Sequence, residues 1–531
     1  MSVANLRLGI DVGGTNTDAV VLDPAGQLLA HFKAPTTADV TGGIRAAIHG
    51  LVNHFPTLDL QQIGYAMLGT THCTNALIER RQLNRVGLIR IGAPATLAIP
   101  PYTTWPPDLL DAIGRHAVVV GGGYEYDGRE TCPLDRQAVL AALHQFAGQV
   151  ESIAISCSFA TVNPAQEREV GAMVCSVLGD ATPITYSHEI GSVGLLEREN
   201  ATALNAALMH AAQVAAAGFA DALTAHGIRA QRFFSQNDGT LMALEYAMRF
   251  PILTVASGPT NSIRGAAFLS GLKDAIVVDV GGTTTDVGVL VAGFPREAAI
   301  AIEVGGVRTN FRSPDLLSVA LGGGTRVHRE MPLRIGPTSV GYRLTEQARV
   351  FGGSELTLSD IAVAAGQLNL GNPALLADLP ADLVEQVLDL VRQRCDDAID
   401  RVRTSAELLP IILVGGGSAI IPAGIADGAL VYRPAHYDVA NAIGAAIAQC
   451  SGEVERIFAL DQISRHDALE QARHLACAEA IQAGADPATI EIIDIQEVPL
   501  AYLPGSATRI RVRAAGNLQL DRPMQPGGGA L

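Results

Sequence analysis

LGIDVGGTNTDAVVLD (residues 8–23) and IVVDVGGTTTDVGVLV (residues 276–291) are two copies of one pattern. Each runs from an apolar stretch into Asp-Val-Gly-Gly-Thr-x-Thr-Asp and out through a second apolar stretch, which predicts a β-hairpin around a glycine turn. Glycine lets the backbone approach a ligand without a Cβ in the way, and a turn of N–H groups and threonine hydroxyls suits phosphate oxygens. Asp11 and Asp279 end the incoming strands, where each could hold a hydrated Mg2+ bridging phosphates. Asp18 and Asp286 open the return strands, placed to orient a water or substrate hydroxyl, or simply to cap the turn. One such hairpin alone is more often an ordinary tight turn. Two matching copies are expected where two similar domains clamp one nucleotide. A third glycine turn, VGGGSAIIP (414–422), follows an apolar strand pattern, as a nucleoside-contacting turn in such a clamp would.

The rest of the chain fits that frame. A length of 531 residues exceeds one ordinary core, and 48% hydrophobic with 17% charged residues describes a globular protein. The net charge of −16 leaves no basic stripe for a phosphate backbone, so nucleic acid is not expected as a partner. Seven widely spaced cysteines contain no Cys-x-x-Cys pair, which argues against a zinc site, a redox dithiol or an iron–sulfur cluster and for free thiols in a reducing cytoplasm. The N-terminus lacks a secretory profile. The uncharged stretch 200–220 is rich in Ala and carries Asn, Thr, Gln and His, so it predicts a packed helix and not a membrane span.

Strand and helix patterns alternate along both halves. Around each glycine hairpin they form a βββαβα repeat, with a long helix over 195–226, a Pro-rich loop at IPPYTTWPPD, helices between about 356 and 408, and a terminal helix, strand and hairpin. Three units are expected: 1–190 with the first hairpin, 191–453 with the second, and a small α+β segment over 454–531. No Rossmann Gly-x-Gly-x-x-Gly or P-loop motif is present, so those folds are disfavoured.

These motifs resemble the actin, sugar kinase and Hsp70 ATPase superfamily, an α/β fold with a duplicated ribonuclease H-like unit and two domains around a nucleotide cleft. Within it the chain is similar to the hydantoinase A/5-oxoprolinase family, through LGTTHCTNALIERR (68–81), EIGSVGLLERENATALNAAL (189–208), FFSQNDGTL (233–241), TVASGPTNSIRGA (254–266), SPDLLSVALGGGT (313–325) and VANAIGAA (439–446). The resemblance implies a cytoplasmic enzyme that uses ATP and Mg2+ to phosphorylate the carbonyl oxygen of a cyclic amide, such as a hydantoin, oxoproline or related lactam, so that the ring becomes hydrolysable. It implies phosphate contacts from Gly13, Gly14, Thr15 and Thr17 and from Gly281, Gly282, Thr283 and Thr284, nucleoside contacts from Gly415, Gly416 and Gly417, and catalytic roles for Asp11, Asp279 and Asp286, with Asp11 and Asp279 as the metal ligands.

Substrate candidates are Thr70, Thr71, His72, Thr74 and Asn75, where a Gly-Thr-Thr turn opens a helix, with Ser257, Gly258 and Gly323 also lining the cleft. The threonines are equally explained as helix caps. His72 and His188 are more often structural, and Arg198 and Asn200 would brace the cleft. Two departures stand out. Asn16 replaces the aromatic residue usual in the first hairpin, and the chain is shorter than full-length A subunits. The sequence shows no B-subunit half, so where hydrolysis needs that half the resemblance implies a hydantoinase B-like or other companion subunit. A homo-oligomer is expected and a membrane partner is not. The competing readings are a small-molecule kinase of the same fold and, ranked lower, an ATP-switched clamp without chemistry.

Overall fold

The computed structural model describes residues 6–37, 40–191, 193–298, 302–310, 314–501, 503 and 505–519. Ser192 and Ser313 of the quoted motifs, and residues 520–531 of the C-terminal segment, lie outside them. Each glycine pattern folds as its apolar runs require. Leu6–Val12 pairs antiparallel with Asn16–Leu22, placing Asp11 opposite Asp18 and Val12 opposite Thr17. Ala275–Val280 pairs with Thr285–Val291 in the same register, Asp279 opposite Asp286 and Val280 opposite Thr285. Both turns close on the same backbone bond, Gly13 N–H to Asn16 O at 3.0 Å and Gly281 N–H to Thr284 O at 2.9 Å.

The duplication extends to whole sheets. In the first, Leu28–Pro35, Asn16–Leu22, Leu6–Val12, Ile63–Thr70 and Gln231–Ser235 lie side by side. In the second, Phe294–Pro295, Thr285–Val291, Ala275–Val280, Ile411–Val414 and Val431–Tyr432 repeat that order. Each sheet thus has an antiparallel meander followed by parallel strands, because the fourth and fifth strands return through helical crossovers. The first sheet then continues through Leu241–Ala243, Cys450–Ala459, Ala507–Gly516 and Glu491–Pro499, so the C-terminal residues are built into it and not appended to it. A separate parallel sheet of four strands (His116–Gly121, Val86–Ala93, Ser152–Cys157, Ile184–Tyr186) is inserted between the fourth and fifth strands of the first unit.

Three elements depart from the expected pattern. A helix, Pro107–Ile113, starts inside the Pro-rich stretch, where proline is tolerated in the first turn. Ala165–Leu178 is a further helix, and Cys450–Ala459 is a ten-residue strand ahead of the terminal helix. The long helix Leu195–Ala225 has the length and apolar composition of a membrane span, but 72% of its apolar window is buried inside the protein, as a core helix.

Two helices cross between the hairpin sheets, Ser257–Ser270 and Ala440–Ile447, and they touch backbone to backbone. A Cβ on Gly265 would lie 1.9 Å from Ala440 O, and one on Gly444 would lie 1.9 Å from Asn261 O. Only glycine permits that approach, and it fixes where the first turn of each helix points.

Candidate nucleotide and substrate cleft

The hairpin tips meet. A Cβ on Gly282 would lie 2.3 Å from Thr15 Oγ1, and one on Gly14 would lie 3.8 Å from Thr283 Oγ1. Behind the tips, Asp11 and Asp279 are almost fully buried and are held by adjacent residues of one helix. Asn261 Nδ2 donates to Asp11 Oδ1 at 3.3 Å, and Ser262 Oγ donates to Asp279 Oδ2. Asn441, from the other crossing helix, donates to Asp11 Oδ2 at 3.5 Å. Burial drives the Asp279 carboxyl up to about 7 and the Asp11 carboxyl up to about 6. Asp18 adds to the rise at Asp11, and the charges of Asp286 and Asp11 add to it at Asp279.

The two return-strand aspartates differ. Asp18 is paired with Lys33 of the third strand, whose Nζ also reaches Asp438 O at 3.0 Å and lies 3.9 Å from where a Cβ of Gly416 would be. Asp286 instead accepts from Ser318 Oγ, and among the described residues it has no cationic partner. Burial raises both carboxyls, and Lys33 opposes that rise only at Asp18.

The glycine turn at 415–417 packs against the second hairpin. Ile411–Val414 runs parallel to Ala275–Val280 with Val414 beside Asp279, and Gly417 N–H donates to Val280 O at 2.7 Å. Gly415 has φ +86°, and its missing Cβ would meet Asp279 Oδ1 at 2.2 Å, so glycine is required twice over. Gly416 is exposed beside Lys33. In the first unit, Ile63–Thr70 stands in the place of Ile411–Val414, with Gly69 beside Asp11 and Thr70 beside Val12. Thr71 follows, its hydroxyl 3.5 Å from Val12 O and accepting from Asn75 Nδ2 at 3.3 Å, while Thr70 Oγ1 accepts His72 N–H at 3.1 Å. Thr74 Oγ1 accepts the N–H of Ala256 at 3.4 Å, joining this turn to the start of the Ser257 helix. Ser257 is buried, and a Cβ on buried Gly258 would point into open space.

Several expected residues take other positions. Thr17 is fully buried, its hydroxyl 3.3 Å from Thr36 Oγ1, so it braces the hairpin from behind; Thr285 does the same in the second copy, donating to Leu321 O at 2.6 Å. Gly323 backs the second hairpin through its N–H to Gly281 O at 3.1 Å, with Gly324 N–H to Gly282 O at 2.7 Å. Thr284 is exposed at the second tip, whereas Asn16, in the equivalent position of the first, is half-buried. His72 lies among Gln82, Glu79 and His210, and burial lowers its pKa. His188 Nδ1 pairs at 2.5 Å with buried Glu167. Arg198 is tied to Cys157 O, Val193 O and Ser187 Oγ, and Asn200 joins Trp105 to Arg308 O. With the bidentate Arg90–Glu199 pair (2.5 and 2.6 Å), they lock the inserted sheet to the long helix.

Four hydroxyl or amide oxygens on these elements are buried without a hydrogen-bond partner among the described residues: Thr15 Oγ1, Ser257 Oγ, Asn261 Oδ1 and Ser418 Oγ. Unsatisfied buried polar atoms are costly, and these four sit on the hairpin tip, the Ser257 helix and the third glycine turn. Together with two carboxylates that burial disfavours as bare anions, this donor set fits a triphosphate with a hydrated Mg2+, an ion that commonly takes one or two protein carboxylates and keeps its waters.

Residues 7–178 match the hydantoinase/oxoprolinase N-terminal region, and residues 198–374 match the hydantoinase/oxoprolinase region. The chain belongs to the hydantoinase/oxoprolinase family. Caprolactamase subunit alpha of Pseudomonas jessenii is 29% identical to this family member over 489 residues, covering 84% of the chain and 66% of that protein. The acetophenone carboxylase gamma subunit of Aromatoleum aromaticum is 26% identical over 400 residues, 68% of this chain and 53% of that one. The chain therefore spans between about half and two thirds of these relatives' lengths. The crystal structure of ATP-dependent caprolactamase from Pseudomonas jessenii superposes with a TM-score of 0.75 at 21% identity, covering 98% of this chain and 90% of that one. The likeness is one of fold, an α/β architecture in which the hairpin sheet occurs twice.

Proposed function

We propose that this hydantoinase/oxoprolinase family chain binds ATP between its two hairpins and transfers the γ-phosphoryl group to the carbonyl oxygen of a cyclic amide, activating the ring for hydrolysis. The observation that carries this reading is the pair of aspartates presented in identical registers and held by successive residues, Asn261 and Ser262, of one helix. The family's relatives supply the substrate class, since one is a caprolactamase subunit.

Amide resonance makes the carbonyl carbon a poor electrophile. Phosphorylating its oxygen removes that resonance: the bond from the γ-phosphorus to its bridging oxygen breaks, ADP takes that oxygen away, and the amide N–H proton is lost. Such a transfer asks the protein for positioning and charge neutralisation more than for covalent chemistry. Backbone N–H groups of Gly14, Thr15, Gly282 and Thr283 cradle the phosphates. Asp11 and Asp279 would hold the Mg2+, whose charge would offset that of the phosphates. Lys33 sets one cation beside the Gly416 turn and restrains Asp18. Asp286, lacking such a cation and raised by burial, is the carboxylate suited to accept the amide proton.

Lys33→Met is expected to lower ATP turnover about 100-fold, in line with the loss of one charge-stabilising donor. A change smaller than twofold in steady-state kinetics would remove Lys33 from the site.

ATP turnover measured across hydantoins, lactams, small ketones with bicarbonate, and hydroxylated compounds tests the reading, with and without a co-expressed companion subunit. Ring-opened amide and free phosphate, identified by mass spectrometry, are the expected products. A stable phosphate ester of a hydroxylated compound would make the chain a small-molecule kinase. The carboxylase-subunit relative favours one further reading, a ketone as the carbonyl acceptor, which ketone-dependent turnover would reveal.

A further inference from the structure

The first hairpin has a second end. Opposite its glycine tip, where Arg7 pairs with Leu22, a cavity of about 330 Å³ opens between the 23–26 turn and the two crossing helices. Arg7, Arg264, Phe268, Gln449 and Asn517 line it, with one carboxylate, Asp23, whose Oδ1 accepts the N–H of Gln27 at 2.8 Å. A smaller cavity of about 210 Å³ adjoins it through Leu22, Gly26 and Phe268 and is walled by Leu28, Leu269 and Ile443.

Neither arginine has a carboxylate partner among the described residues. Arg7 reaches only Ala446 O, at 3.5 Å. Arg264 donates to Gly293 O at 2.6 Å and stacks its guanidinium 4.3 Å from the Phe294 ring centre, while its Nε is buried with no partner. The charges it feels are Asp238 and the opposing Arg513. Burial lowers the pKa of both guanidiniums, that of Arg264 to about 10. In a chain of net charge −16, two half-buried arginines that line one cavity and make no ion pair among the described residues leave positive charge there for an anion to meet. The guanidinium fork matches the two oxygens of a carboxylate, and the adjoining apolar cavity would take a hydrocarbon body.

We infer that this cavity is a second ligand site, for a small organic carboxylate whose head group lies between Arg7 and Arg264 and whose aliphatic body passes Phe268 toward Leu28 and Ile443. Its walls are the same two helices that hold the aspartates. Arg264 lies less than one turn beyond Asn261 and Ser262, and Ile443 lies two residues beyond Asn441. Occupancy therefore bears on the positions of Asp11 and Asp279. That consequence rests on the proposed ATP site, whereas the binding itself does not.

Calorimetric titration of the full chain with hexanoate, acetate and inorganic phosphate, followed by hydrogen exchange of the wild-type protein with hexanoate, tests the site. The expected result is one saturable hexanoate site, at least tenfold tighter than acetate or phosphate, with exchange protection at residues 22–28 and 264–269. Arg7→Gln should weaken hexanoate at least tenfold while leaving ATP binding unchanged. No saturable binding, phosphate binding tighter than hexanoate, or protection at the hairpin tips in place of these segments would each overturn the inference, and none of those measurements depends on a variant folding.

Discussion

Asp279→Asn is expected to abolish ATP turnover, by at least about 1,000-fold, and at the same time to raise the melting temperature of the nucleotide-free protein at pH 8. The first effect follows from removing the carboxylate proposed to hold the metal between protein and phosphates. The second follows from burial. The Asp279 carboxyl is pushed up to about 7 from an ordinary 3.8, chiefly because it is desolvated. A folded pKa above the unfolded one means that, between about pH 4 and 7, the folded protein retains a proton the unfolded chain has released. Stability is therefore lost as pH rises through that window, and the full cost stands above it. The amide of the variant never ionises and can still accept from Ser262 Oγ. The gain at pH 8 is on the order of 2–4 kcal/mol, or a few degrees, and should vanish toward pH 4. Differential scanning calorimetry from pH 4 to 8 decides it. A variant no more stable than wild type at pH 8, or a gain independent of pH, would show that Asp279 is not a buried charge awaiting a cation. Asp11→Asn should behave alike with a smaller gain, since its carboxyl rises only to about 6.

The glycine hairpins were legible in the sequence because everything that forms them is local: an apolar run, a turn, a return run, repeated. Their mutual approach was legible only because there were two. What lay beyond reach was the side chains that come to the aspartates from far along the chain. Asn261 and Ser262 stand inside TVASGPTNSIRGA, a stretch singled out for Ser257 and Gly258, yet which residues of that helix face the aspartates depends on its crossing with Ala440–Ile447. Lys33 gave no signal in a strand of mixed character, since its role comes from lying beside Asn16–Leu22 in register, with Lys33 opposite Asp18. The inward turn of Thr17 follows from strand geometry. Side chains alternate along a strand, so neighbours 17 and 18 point to opposite faces and cannot both serve one ligand. The same alternation separates Thr285 from Asp286. Gly323 bonds through its backbone to the second hairpin, which a glycine run does not announce: it reads alike whether its backbone faces a ligand or another turn.

Gly444→Val should be far more damaging than its distance from any reacting group suggests, whereas Gly258→Ala should leave the fold intact and weaken nucleotide binding. At Gly444 the added carbon would meet backbone, the carbonyl oxygen of Asn261 at 1.9 Å and its carbon at 2.7 Å. Backbone in a helix cannot rotate away as a side chain can, so the crossing helices must separate. Separation opens the packing around Ile443 and Ala446 and withdraws Asn261, Ser262 and Asn441 from Asp11 and Asp279 together. A loss above about 4 kcal/mol is expected, enough to remove most soluble protein at 37 °C. Gly444→Ala brings the same contact with less bulk, so it should fold less stably and lose ATP turnover in step with stability. Gly258 is buried too, but its Cβ would meet nothing within 4 Å. If that space belongs to the nucleotide or substrate, Gly258→Ala will melt like wild type and bind ATP or amide at least several-fold more weakly. Equal binding by both proteins would place the cleft elsewhere, while a large drop in melting temperature would mean that the space beside Gly258 is needed for packing. Of the two glycines, one holds the helices at the separation that aligns the aspartates, and the other borders open space that the proposed ligand would fill.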